Sequence, residues 1–421
     1  MPDRASTLGE VNMTPNAPAS AANGLAPAKV IGVMVAASIA STIGGLPFNS
    51  LPVMLGTLAE AFKLDPAAVG FMGSVCFAGY LVGTLGAPLW IERLNWRLLT
   101  VISALGTAAS FALSAHTMDL KGQYVAWALI GFFASTMTCL GMRILTDLPD
   151  KVRAFGVRQG VELSVTAAVL FALPPLVIAH WQYLGAASAL AVVVLVLGVS
   201  AVWVPARSLL VDGGRLWSVE ADRAGLAVGP AAGEGDAASY AATAKPKVPV
   251  AAWVGLVVFF VYLLGNIGLW AFLERIGAGL KLEPAQTGLV FAVLKLLGGV
   301  AAFSVGALGE RWPPARAHGG ALLLLGLGLL LLASAAAFPA FALGAWVWEF
   351  AFTCGCVLQA AHIARQDPSG RAILLVPAAF ALASMVGPGL AGQLYSPGAG
   401  AVLCLAALTS VVPLAAALVK R

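Results

Sequence analysis

Twelve blocks of apolar residues, most about twenty residues long, constrain this chain more than any other feature. A helix rises about 1.5 Å per residue, so a block of roughly 18 or more apolar residues crosses the ~30 Å hydrocarbon core of a bilayer. The blocks predict spans near Val30–Leu55, Val69–Ile91, Leu98–Ala115, Tyr124–Leu145, Gly160–Ile178 and Tyr183–Val204. Six more follow at Val250–Phe272, Thr287–Leu308, Gly319–Ala337, Phe341–Ala364, Ile373–Leu394 and Ala401–Val419. Hydrophobic residues make up 60% of the chain and charged residues only 10%, against about 25% charged in soluble domains. A membrane β-barrel would instead show ten-residue strands of alternating polarity. The fold class is therefore all-α integral membrane, with the backbone hydrogen bonds closed within each span.

The polar segments divide the chain. Residues 1–28, rich in Ala, Pro, Asn and Ser and without the apolar core of a signal peptide, read as a disordered cytoplasmic N-terminal tail. Residues 29–204 and 250–421 form two six-helix halves, and 205–249, the longest polar stretch, reads as a flexible cytoplasmic linker. With the N-terminus inside, 19 Lys and Arg fall on the cytoplasmic side, three outside (Lys63, Lys121, Lys281), and Arg275 and Lys295 stay unassigned. That bias places both termini in the cytoplasm. The net charge of +5 is scattered at block ends, which is a topology signal and no nucleic-acid surface. The five cysteines lie inside apolar blocks and give neither a disulfide framework nor a metal site, and no cofactor motif is present.

An internal repeat relates the halves. Phe62–Arg93 aligns without a gap to Leu280–Arg311 at an offset of 218, with nine of 32 positions identical. They include Lys63-Leu64-x-Pro66-Ala67 against Lys281-Leu282-x-Pro284-Ala285, and Glu92-Arg93 against Glu310-Arg311. An even number of spans separates the copies, so they share one orientation, as halves related by a pseudo-twofold axis along the membrane normal do.

The loop Gly306-Ala307-Leu308-Gly309-Glu310-Arg311 resembles the loop motif of the major facilitator superfamily, and Pro88–Arg97 keeps its acid–arginine pair. The resemblance, which runs over nearly the whole chain after residue 28, implies twelve transmembrane helices in two pseudo-symmetric halves, with spans one and seven lining a central cavity. It also implies that Glu92, Arg93, Glu310 and Arg311 act as a gate at the cytoplasmic mouth, or else serve as topology determinants. Two subfamily patterns are not matched. The arginine that drug–proton antiporters carry in span four is replaced by a tryptophan, and their glycine–proline motif of span five is missing. The acidic residues of span one in aromatic-acid symporters are absent as well.

A charge at the centre of a membrane helix costs roughly 2.5–3.5 kcal/mol on insertion scales, so each one asks for a reason. Lys295 and Glu349 each lie eight residues into a predicted span, about 12 Å below the outer face, where they are expected to meet. An anionic substrate, or protonation of the glutamate, would open such a pair; a buried structural pair is the plainer reading. Glu162 falls one turn after Arg158 and is expected to pair locally, with a coupling role as the alternative. Arg143 and Asp147 form an i,i+4 pair. Tyr262, Asn266 and Trp270 recur every four residues and predict one polar–aromatic stripe on span seven, suited either to a flat organic solute or to helix packing.

These readings converge on a secondary transporter of a small organic solute, an organic and possibly aromatic anion, proton-coupled and working by alternating access in the inner membrane of a bacterium. An efflux carrier for hydrophobic compounds is the alternative. A membrane-embedded enzyme has no nucleophile, metal or phosphate motif to support it. The expected partners are the solute, protons and the lipid bilayer, with neither nucleic acid nor an obligate protein partner.

Overall fold

A computed structural model of the chain describes residues 27–91, 93–148, 151–207, 248–308, 313–366, 372, 375–395 and 399–418. Most of the expected tail and linker lie outside these residues. The first half contains α1 (Pro27–Asn49), α2 (Leu51–Phe62), α3 (Pro66–Ile91), α4 (Trp96–His116), α5 (Leu120–Thr146), α6 (Lys151–Ala172) and α7 (Ala179–Gly198). The second contains α8 (Val250–Gly279), α9 (Pro284–Leu308), α10 (Pro314–Ala333), α11 (Phe338–Gln366), α12 (Val376–Tyr395) and α13 (Ala399–Leu418).

Nine helical stretches among the described residues are long and apolar enough to cross a bilayer. One of them, Val157–Trp203, has 47 residues, about 70 Å of helix and roughly twice the thickness of the hydrocarbon. It folds back at Gln182 (φ 50°, ψ −141°) and so makes two spans. With α12 and α13, each of 20 residues, the spans number twelve.

The boundaries correct the sequence reading in three places. Span one does not end at Leu55: it bends at Ser50 and continues as α2 to Phe62. Span seven runs past Phe272 to Gly279, carrying Glu274 and Arg275 with it. Helix α6 starts at Lys151, well before Gly160.

The repeat is visible in the backbone. Lys63 and Lys281, equivalent at the offset of 218, both adopt left-handed φ (52° and 54°), and Pro66 and Pro284 each open the next helix. A proline in the first turn forgoes only an N–H that has no partner there. The same residues thus turn the chain the same way in both halves.

The halves approach each other through α3 against α12, α6 against α9 and α2 against α8. Glycines allow the closest approaches: a Cβ at Gly70 would lie 2.2 Å from the Pro388 carbonyl oxygen, and one at Gly288 would lie 2.7 Å from that of Phe171. Pro174 and Pro175 have no N–H to give the carbonyls of Leu170 and Phe171, and helix α6 passes into a π-helical turn over Leu173–Ile178. Gly288 packs against those freed oxygens. These contacts lie toward the ends of the helices remote from the chain termini, here called the distal end.

Candidate functional site

Lys295 is 11 residues after the start of α9 and Glu349 is 11 residues after the start of α11, so both lie about 16 Å from the distal ends of their helices. They are 4% and 7% exposed and face each other, Lys295 Nζ to Glu349 Oε1, at 3.8 Å. That separation is an ion pair but exceeds hydrogen-bonding reach. Gly298, one turn from Lys295, makes room for the carboxylate: a Cβ there would lie 3.0 Å from Glu349 Oε1. Above the ammonium is the Trp270 ring, its centroid 3.7 Å from Nζ, with Phe48 at 5.7 Å. Phe48 in turn packs edge-on against Phe77 and Phe380, so aromatic rings from α1, α3, α8 and α12 converge on one point.

Nζ has three N–H donors and no acceptor within hydrogen-bonding distance among the described residues. A buried lysine is ordinarily paired and hydrogen-bonded. Here the charge is balanced and the donors are left over.

The first half brings a second pair to the same region. Arg158 Nη2 is 2.8 Å from Glu162 Oε2, and Asn49 Nδ2 donates to Glu162 Oε1 at 3.4 Å. Gly45 on α1 accommodates this carboxyl group, which a Cβ would approach to 2.5 Å. Leu163, the next residue, packs on Gly299, four residues after Lys295, so Glu162 and Lys295 lie on facing helices at the interface of the halves. Arg158, Glu162, Lys295 and Glu349 together carry no net charge.

The expected stripe on span seven is divided by the fold. Tyr262 and Asn266 are fully buried inside the second half. The Tyr262 hydroxyl donates to the Phe352 carbonyl at 3.1 Å. Asn266 donates to Tyr262 O at 2.8 Å and Ser410 Oγ at 2.9 Å, and accepts from Trp348 Nε1 at 2.9 Å. Their polar atoms are committed to protein in this structure. The Asn266–Trp348 bond ties α11 to α8 at the residue before Glu349, which faces Lys295 on α9. Trp270 alone turns to the other half, donating Nε1–H to the Phe48 carbonyl at 3.0 Å.

Of the expected gate, Arg93 is exposed at the end of α3, while Glu92, Glu310 and Arg311 lie outside the described residues. Arg143 pairs with Asp147 on its own helix, as the spacing implies. Sequence reasoning passed over Phe48, Pro52 and the distal mouth, where Gly56, Glu60, Glu274 and Tyr395 border a cleft of about 520 Å³ between the halves. The signal for Phe48 was present in Pro52, four residues on.

The fold and the sequence agree with known proteins. The chain is similar to a D-xylose–proton symporter at 12% identity, over 91% of this chain and 97% of the other, with a TM-score of 0.68. It is similar to the nucleoside transporter NupG at 11%, over 93% and 99%, with 0.67. A bacterial homolog of the human lysosomal transporter Spinster, solved in an inward-facing, unoccupied conformation, is 12% identical over 94% and 96%, with 0.64. No curated protein sequence matches the chain. The family model of the Major Facilitator Superfamily matches residues 33–364, well over half the chain, and this multi-pass membrane protein belongs to that superfamily of transporters and is no enzyme.

Proposed function

We propose that this transporter moves a small organic anion together with a proton, with Lys295 as the anion's counter-charge and Glu349 as the proton's acceptor. The observation that carries this reading is the buried ammonium, whose carboxylate partner stands off at 3.8 Å while its N–H donors lack acceptors. An incoming carboxylate supplies the acceptors. Lys295 then passes from Glu349 to the solute, and Glu349, left in a buried place without its cation, takes up a proton. The charge of the cluster is the same before and after, so one proton accompanies each negative charge. Trp270, Phe48, Phe77 and Phe380 offer flat apolar surface for the body of the solute.

The proton coupling has a precedent in the similar D-xylose–proton symporter. D-xylose and nucleosides carry no carboxylate, so the anion in this reading rests on Lys295 alone. The reading sets the protein in a bacterial inner membrane, and the excess of Lys and Arg in the loops on the side of the termini supports a cytoplasmic position for that side. The packed distal end then fits a state closed to the outside. The two halves, 29–204 and 250–421, would rock about the cluster, with the acid–arginine loops of Glu92-Arg93 and Glu310-Arg311 meeting at the cytoplasmic mouth when that side closes.

The test is uptake of radiolabelled small carboxylates into proteoliposomes, with and without an inward proton gradient, for the wild type and Lys295→Ala. Gradient-driven uptake that the substitution abolishes supports the reading. Uptake that survives it reduces Lys295 to a structural role, and failure to carry any acid, with export of apolar compounds, replaces the reading with efflux.

A further inference from the structure

Proline 52 lies in the first turn of α2, directly after the bend in span one. It has no N–H, so the carbonyl of Phe48, four residues earlier, receives no helical hydrogen bond from it. That carbonyl is the acceptor of the Trp270 indole N–H from the other half, at 3.0 Å. The same indole ring covers the Lys295 ammonium at 3.7 Å. The bond therefore crosses between the halves on the distal side of the charge cluster and touches the cluster from above.

The internal repeat explains the placement. At the offset of 218, Pro52 is equivalent to Trp270 and Gly56 to Glu274. Equivalent residues of spans one and seven meet where those spans face each other about the pseudo-twofold axis. At both levels, one helical turn apart, the first half supplies a notch and the second half a knob. The freed carbonyl receives Trp270, and the missing Cβ of Gly56 receives the Glu274 carboxyl group, which a Cβ there would approach to 1.7 Å. The asymmetry is thus built into otherwise matching positions.

We infer that Pro52 is a positioning residue for transport: by freeing the Phe48 carbonyl it seats Trp270, and so holds the aromatic cover over Lys295 only while the distal mouth is closed. Opening the mouth withdraws the acceptor, releases the indole, and uncovers the ammonium to the side that has opened. The link between mouth and cover stands on the Pro52–Phe48–Trp270 geometry. Its consequence for the solute rests on the proposed function above.

The experiment reads the mouth without any solute. Nitroxides at Glu60→Cys and Ala278→Cys, exposed equivalents on α2 and α8, report the distance across the distal cleft in nanodiscs, in a background whose native cysteines are replaced. Pro52→Ala restores a competing N–H to the Phe48 carbonyl, and Trp270→Phe keeps a ring but removes the donor. Each is expected to raise the ratio of open to closed mouths about fivefold, the worth of one net hydrogen bond, and the double variant to raise it no further. In Pro52→Ala the Trp270 indole N–H should also lose its protection against hydrogen exchange. Additive effects of the two substitutions, or an indole N–H equally protected with and without Pro52, would overturn the inference. If Pro52→Ala does not fold, an unchanged mouth in Trp270→Phe overturns it and a shift of about fivefold upholds it. A shifted mouth with no anion uptake in any variant would uphold this link and reject the proposed function.

Discussion

Replacing Glu349 by glutamine tests the division of labour in the charge cluster. The substitution keeps the shape of the side chain and removes the charge that Lys295 faces at 3.8 Å. At an effective dielectric constant of ~20, two unit charges at that distance attract by about 4 kcal/mol. A solute that takes Lys295 from Glu349 forgoes this attraction, and protonation of the carboxylate offsets part of the loss. Without Glu349 the solute meets an uncompensated ammonium, and its binding is expected to tighten by about 1–3 kcal/mol, or roughly 5- to 150-fold in Kd. The pH dependence follows by linkage. In the wild type each bound anion brings a proton to Glu349, so affinity falls as pH rises, approaching tenfold per unit where Glu349 is ionised in the empty protein. In Glu349→Gln the affinity should be flat with pH, and gradient-driven transport should stop because Lys295 has no partner to return to. Equilibrium binding of the best-transported carboxylate, measured in detergent from pH 5.5 to 8, checks both points. Weaker binding in the variant, or an unchanged pH slope, would refute the reasoning.

Three further outcomes follow from the same geometry. Asn266→Leu strands the Trp348 indole N–H in the second half and takes away the donor to Ser410 Oγ, which keeps its own bond to the Ala406 carbonyl, and should lower stability by about 1–3 kcal/mol, read as a fall of several degrees in Tm by dye-based thermal unfolding; an unchanged Tm would show that the network contributes nothing. Gly70→Ala places a Cβ 2.2 Å from the Pro388 carbonyl oxygen, a backbone atom that cannot turn aside, and should bias the transporter toward the distally open state, read as faster alkylation of a cysteine at Ala59, which is buried beside the distal cleft. Unaltered alkylation would mean that α3 and α12 separate without penalty. Glu162→Gln removes the first-half carboxylate that faces the cluster while Arg158 remains, and is expected to weaken uptake at high pH more than at low pH; an equal loss at every pH would assign Glu162 to structure.

Apolar block length alone determined the twelve spans, because a helix must satisfy its own backbone in lipid and its rise per residue is fixed. The same rise placed Lys295 and Glu349 at one depth before any fold was known, and the cost of burying charge singled them out. The repeated Lys-Leu-x-Pro-Ala segment showed that the halves correspond, and the backbone then takes the same left-handed turn at Lys63 and Lys281, since like sequences in like surroundings fold alike. Direction around a helix was harder to read. Four residues advance about 400°, so Trp270 is turned by roughly 80° from Tyr262, enough to send one ring across to the other half and the other into its own. Whether a polar atom is free or committed was beyond the sequence, because the partners of Asn266 and Trp270 come from α11, α13 and α1. The ends of spans one and seven look like loops when read singly, yet they run on as helix to Phe62 and Gly279, where Gly56 and Glu274 pack on each other. Depth is a local property of the chain, and the sequence determined it; facing is a property of neighbours, and only the packing of the two halves decided it.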